Sequence, residues 1–338
     1  MEKEFLVDSK MTVHEILSVN HMEAYEHFLF FRSDHCYHDD EGCTVEDLHK
    51  KIPTWQTESM LYGLKRLYRD TQSGRTDIIP VYSKTAIKEE FTRKEVCIIP
   101  FLGDPCRPSV ILCAGGGYQA VCSMAESIPA AARFQDLGYN AFVLNYRVSD
   151  AAGDSLMPKP LEDLAQCVRF LNKYRVSKNM ADNRYAVCGF SAGGNLVAEF
   201  ARADIGYHVY RVQKPDAVFC IYGAVEFFKD HFDNYFCQIV FGNNYNISDL
   251  KKYNVPEHID EDYPDTYLAA CRDDDVVPYV QTIDFEKALK QHGVRYETDL
   301  FCSGGHGFGD GYGTEAQNWI RNAADFWNVK KHESKEYC

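Results

Sequence analysis

No CxxC pair occurs in the 338 residues, although the chain carries 13 cysteines. Their odd number and dispersed spacing argue against a disulfide framework and against a zinc ribbon or thioredoxin-like site. Cys113 in VILCA, Cys188 in YAVCG and Cys220 in AVFCIY sit inside apolar runs, where a reduced thiol packs as a small hydrophobe. A reducing, cytoplasmic setting is the expectation. Basic residues are in deficit: 36 Lys and Arg against 50 Asp and Glu leave a net charge of −14, which disfavours nonspecific binding to nucleic acid or anionic lipid. No apolar run reaches membrane-spanning length, and the start MEKEFLVDSK lacks a signal-peptide core. Neither nucleic acid nor a membrane is an expected partner. Internal repeats and low-complexity tracts are absent as well, which excludes a solenoid and wholesale disorder.

What is present has an ordinary globular composition, 45% hydrophobic and 25% charged. Residues 1–72 have few glycines or prolines to mark strands and tight turns, and they read as a helical extension. Thr12 with Glu15 three positions on makes a capping box, and Val13, Ile16, Leu17, Met22, Tyr25, Phe28 and Leu29 follow an approximate 3.6 period. A second helix is expected to start near Thr44. A third, over about 56–69, carries an apolar stripe of Met60, Leu61, Leu64, Leu67 and Tyr68 and is followed by Gly74. Such stripes suit a lid or an arm for homo-oligomer formation. His35, Cys36, His38, Asp39 and Cys43 form a tempting cluster, but their spacing fits neither a helical nor a knuckle zinc site, so no metal is expected.

From residue 73 to 330 the pattern changes. Short runs rich in β-branched and aromatic residues (IIPVYS, VCIIPF, SVILCA, AFVLNY, YAVCGF, AVFCIY, TYLAAC, YETDLF) alternate with helical stretches near 125–137, 160–175, 194–204, 279–291 and 315–327. That alternation predicts an α/β domain with a mostly parallel central sheet and helices on both faces. Residues 331–338 form a polar tail.

The strongest chemical signal is Gly189-Phe190-Ser191-Ala192-Gly193, which follows the buried run RYAVC and leads into the helix candidate NLVAEFARA. A serine on a tight strand-to-helix turn projects its hydroxyl clear of the backbone, and Ser191 reads as a nucleophile. A bare GxSxG arises by chance; the strand and helix around this one set it apart. Upstream, Ala114-Gly115-Gly116-Gly117-Tyr118 follows SVILC. With no lysine at Walker spacing it is not a phosphate loop, and the amides of Gly116 and Gly117, with that of Ala192, are the expected oxyanion donors.

A base and its acid should follow in the order acid, then histidine. His306 lies between glycine pairs in GGHGFG after YETDLF, and three aspartates, Asp273-Asp274-Asp275, follow TYLAAC. Only one of the three can face the imidazole. Asp273, the first after the strand, is the choice, with Asp275 as the alternative. Tyr235, Phe236, Phe241 and Tyr245 fall where a cleft could be covered, although core packing explains them as well.

In order, CAGGGY at 113–118, LGYNAFVLNYRV at 137–148, PKPLEDLAQCVRFL at 158–171, GFSAGGNL at 189–196, RDDDVVP at 272–278 and GGHGFG at 304–309 make the chain resemble the α/β-hydrolase fold. Within it the resemblance is to the bacterial acetyl-xylan and feruloyl esterase-like group related to prolyl oligopeptidases, over about 96–327. The resemblance implies a Ser-His-Asp esterase that needs no cofactor and acts on short acyl esters, among them carbohydrate acetates. It also implies that the first aspartate of the DDxVVP loop, Asp273 here, is the acid. Ala114 stands where such enzymes often carry Pro or His. A peptidase of the prolyl oligopeptidase type shares this triad, but no β-propeller pattern precedes the domain, which favours a small-molecule ester over a peptide. A non-catalytic binding protein on the same fold is the other alternative, against which the retained triad residue types argue.

Overall fold

The eight runs read as strands form eight strands in the computed structural model, which describes residues 7–18, 22–30, 43–149, 153–227 and 234–333. They are β1 (Ile79–Pro80), β2 (Cys97–Phe101), β3 (Ser109–Cys113), β4 (Asn140–Asn145), β5 (Tyr185–Phe190), β6 (Ala217–Ile221), β7 (Asp265–Cys271) and β8 (Tyr296–Phe301). All join one sheet in the order β1-β2-β4-β3-β5-β6-β7-β8. β2 pairs antiparallel with β1 and β4, and every pairing from β4 through β8 is parallel. The central strands are buried along their whole length, which is why they read as continuous apolar runs rather than alternating ones.

Alternation along each strand sends side chains to two cores. Val110, Leu112, Val143, Cys188, Phe219 and Ala269 enter one, while Ile111, Phe142, Leu144, Val187, Val218 and Leu268 enter the other. Twelve helices among the described residues complete the fold. The extension supplies α1 (Val13–Leu17), α2 (Glu26–Leu29), α3 (Val45–Lys51) and α4 (Thr57–Gln72), and α5 (Lys84–Glu89) precedes β2. α6 (Ser127–Asp136), α7 (Lys159–Ser177), α8 (Ala192–Phe200), α9 (Asn234–Phe241), α10 (Ile247–Lys252), α11 (Val280–Gln291) and α12 (Trp319–Glu333) follow. α6, α12 and the extension cover the first core; α7, α8, α9 and α11 contribute to the second.

Thr12 and Thr44 cap α1 and α3 through reciprocal bonds with Glu15 and Asp47, as the capping pattern predicts. Within the helical period expected from Thr12 to Leu29, the described residues form α1 and, through a 3-10 turn at Glu23–Tyr25, α2. The stripe of α4 is spent inside the molecule: Met60, Leu64 and Leu67 are buried in the first core, each stabilising the fold by about 2 kcal/mol. Arg66 also donates to Gln135 at 2.7 Å on α6, and Ser59 bonds Asp310. The extension thereby shares a core with one face of the sheet. α5, α9 and α10 lie outside the helical stretches read from the sequence; at six, eight and six residues they are too short to show a sustained 3.6 period. His35, Cys36, His38 and Asp39 lie outside the described residues. Among the described residues no group of three or more His, Cys, Asp or Glu is arranged to hold a metal ion, and no helix is long and apolar enough to cross a membrane.

Candidate active site

Parallel strands end on the same edge of the sheet, so the turns after β3, β5, β7 and β8 meet there. Ser191 occupies the turn between β5 and α8 with φ 52° and ψ −118°, a backbone conformation that costs energy in any residue other than glycine. The surroundings enforce it. A side chain on Gly189 would begin 2.0 Å from the carbonyl oxygen of Gly193, and one on Gly193 would begin 2.1 Å from that of Cys113. Strand, turn and helix can approach this closely only through glycine, and Ser191 N–H is held by the carbonyl of Ile221 at 3.0 Å.

Two hydrogen-bond distances link the three loops. Ser191 Oγ lies 2.9 Å from His306 Nε2, and His306 Nδ1 lies 2.8 Å from Asp274 Oδ2. A carboxylate only accepts, so the proton sits on Nδ1 and leaves Nε2 to accept from the serine hydroxyl. The side chain of Asp274 is fully buried. Its other oxygen accepts from the backbone N–H of Val276 and Val277 at 2.9 and 2.8 Å, which fixes the carboxylate on all sides.

This arrangement corrects the choice of Asp273. A turn closes after β7, with Asp274 N–H donating to the carbonyl of Cys271, and it is the second aspartate that this turn sends inward. Asp273 is exposed and braces the histidine loop from outside, accepting from the N–H of Gly304 at 3.2 Å and of Gly305 at 2.9 Å. Asp275, the alternative, is exposed too, and like Asp273 it lines the cavity over the serine. Position in the sequence cannot separate three adjacent carboxylates; the turn geometry does.

A cavity of about 940 Å³ opens over the serine. Gly116, Gly117 and Ala192 line it together with Ser191 and His306, so the sheet edge brings all the expected donor residues to one cavity with the serine. Of the four aromatics, Phe236 lines the cavity, whereas Phe241 is buried against Phe227 with ring centroids 4.9 Å apart. Tyr235 is exposed and donates to Gln119 at 3.1 Å, and Tyr245 packs on the second core.

Two further groups were not anticipated. Glu126 is buried behind the glycine loop, where it accepts from Gly115 N–H and, at 3.0 Å, from the Tyr222 hydroxyl. The Tyr222 ring stands edge-on to the imidazole of His306 with centroids 4.9 Å apart, and its hydroxyl accepts from Gly309 N–H at 3.2 Å. Burial pushes the Glu126 carboxyl above its ordinary range; the Gly115 amide, the nearby histidine and the Tyr222 hydroxyl pull it partly back. Nothing in the sequence around Glu126 separates it from an ordinary residue at a helix start. The second group is the turn between α3 and α4, where residues 51–55 form part of the cavity wall.

Residues 100–289, more than half of the chain, match the BD-FAE family. Among curated proteins the chain is 28% identical over 208 residues to endo-1,4-beta-xylanase B of Butyrivibrio fibrisolvens, an alignment of 60% of this chain and 32% of the relative. It is 26% identical over 221 residues to an acetylxylan esterase of Xylanibacter ruminicola, covering 64% and 44% respectively. The chain thus spans less than half the length of either. The acetyl ester-xyloside bifunctional hydrolase of Caldicellulosiruptor lactoaceticus superposes with a TM-score of 0.65 at 25% identity, over 75% of this chain and 96% of the other. A carboxylesterase of Lactobacillus plantarum superposes with a TM-score of 0.60 at 21% identity, over 70% and 93%, a likeness of fold. The resemblance read from the six motifs holds: the chain belongs to the BD-FAE family and has the α/β-hydrolase fold.

Proposed function

We propose that this chain is a serine carboxylic-ester hydrolase acting on short acyl esters, of the acetyl type, through an acyl-enzyme on Ser191. The observation that carries the reading is the continuous relay of 2.9 and 2.8 Å from the serine hydroxyl through His306 to the buried Asp274. As Ser191 Oγ bonds to the ester carbonyl carbon, its proton passes to His306 Nε2. The carbonyl oxygen becomes an oxyanion, for which the amides of Gly116, Gly117 and Ala192 are the proposed donors. Collapse of the tetrahedral intermediate breaks the carbon–oxygen bond to the alcohol, and His306 returns the proton to that oxygen as the alcohol leaves. Water then repeats the sequence, giving its proton to His306, releasing the carboxylic acid and restoring the serine. Asp274 holds the imidazole in the required tautomer and balances the imidazolium charge. The acetyl preference draws on the acetylxylan esterase and acetyl ester-xyloside hydrolase among the similar proteins. Hydrolysis of p-nitrophenyl acetate tests the reading: the wild-type chain turns it over, and Ser191→Ala loses that activity together with labelling by a fluorophosphonate. Wild-type turnover by Ser191→Ala would refute it.

A further inference from the structure

The helical extension lies outside the stretch that matches the BD-FAE family, residues 100–289, yet it reaches the reacting groups. Residues 51–55 connect α3 to α4 as a tight turn. Trp55 N–H donates to the carbonyl of Ile52 at 3.0 Å, His49 Nδ1 lies 3.0 Å from the carbonyl of Trp55, and Gln56 Nε2 donates to the carbonyl of Pro53 at 3.1 Å. The Trp55 ring stacks on Phe30 with centroids 5.4 Å apart and an interplanar angle of 19°. The turn is therefore built into the core at its back while its front faces the cavity.

Its position relative to His306 is specific. A side chain on Gly305 would begin 2.8 Å from Thr54 Cγ2, and one on Gly307 would begin 3.3 Å from both Thr54 Oγ1 and Trp55 Nε1. The glycines on either side of the histidine leave room for this turn to lie against the loop. That location has a chemical consequence. In ester cleavage His306 Nε2 hands its proton to the leaving oxygen, so the alcohol must lie on the histidine side of the serine. Walls on that side meet the alcohol; walls farther from it meet the acyl group.

We infer that the turn at residues 51–55 is the alcohol-side wall of the substrate site, making the extension a determinant of which alcohol is released. The inference rests on the esterase reading above. The wall combines the Thr54 hydroxyl and the Trp55 indole N–H edge beside the histidine loop with the exposed Pro53 ring, a mixture that suits a large polyhydroxylated alcohol better than an alkyl chain. The cavity of about 940 Å³ is far larger than an acetyl group needs.

Two pairs of esters separate this role from simple support of the histidine. Methyl acetate and acetylated xylobiose share the acyl group and differ in alcohol; p-nitrophenyl acetate and butyrate share the alcohol and differ in acyl group. In the full chain, Pro53→Trp adds bulk at the exposed rim, and Thr54→Ala removes the contact with the histidine loop without adding any. For Pro53→Trp the kcat/KM ratio of acetyl-xylobiose to methyl acetate is expected to fall about tenfold, with the butyrate-to-acetate ratio held within about twofold. Thr54→Ala moves the same ratio by a smaller factor and spares the other. An alcohol ratio that does not move, or two ratios that move together, overturns the assignment while leaving the esterase reading intact. A wild-type chain that cleaves none of the four esters overturns both.

Discussion

Ser191, Asp274 and His306 stand on short turns at the ends of β5, β7 and β8, whereas residues 51–55 belong to a run of helices that never joins the sheet. The strand-end turns are locked by backbone. Ser191 is pinned between glycines that admit no side chain, and both oxygens of Asp274 are occupied. The helical turn is held by its own local hydrogen bonds and by side-chain packing, through Trp55 on Phe30 in front of a core shared with α6. Chemistry that needs placement within fractions of an ångström is built on the rigid sheet edge. A wall that only shapes the cavity can be supplied by packed helices, which tolerate sequence change more readily than glycine-lined turns do.

Substitutions in the two regions should therefore fail in different ways. His306→Ala removes the proposed base and is expected to lower kcat on p-nitrophenyl acetate by roughly a millionfold, with the folded state retained; circular dichroism beside the kinetics checks both. Leu64→Ala, on the buried face of α4, does the reverse. It costs about 2–5 kcal/mol of stability in urea unfolding and leaves kcat per folded molecule as it was. A Leu64→Ala chain as stable as the wild type would mean that the extension is not part of the main core.

The smallest effect concerns Glu126, which ties the glycine loop to Tyr222. Its carboxyl is raised by burial, so the folded chain keeps this proton after the unfolded chain has lost it. Ionisation then favours unfolding, and this group's share of stability falls as pH climbs from the ordinary carboxylate range through the raised value. Glu126→Gln cannot ionise. Its stability relative to wild type should rise with pH over that window, read from unfolding curves at several pH values; a difference that is flat with pH contradicts the assignment.

The fold was largely legible because its central strands are buried on both faces and spell themselves as apolar runs such as SVILC and YAVCGF. The serine turn and the histidine were legible for a related reason: glycines at fixed offsets mark places where backbone must approach backbone. Asp274 was not, because three identical neighbours differ only in where a turn points them. The wall at residues 51–55 was equally hidden, since a contact between positions 54 and 305 leaves no local pattern in either segment. The stripe of α4 was visible, but its partner on α6 was not, so an internal packing surface resembled one free for a lid or a second copy.

The central claim, that the second aspartate of the loop serves the histidine, is tested most directly by measuring kcat on p-nitrophenyl acetate for Asp274→Ala beside Asp273→Ala. The expected result is a loss on the order of ten-thousandfold for Asp274→Ala against at most about tenfold for Asp273→Ala, whose carboxylate braces the histidine loop through backbone N–H groups and makes no hydrogen bond to the imidazole. Equal losses, or the larger loss at Asp273, would contradict the account.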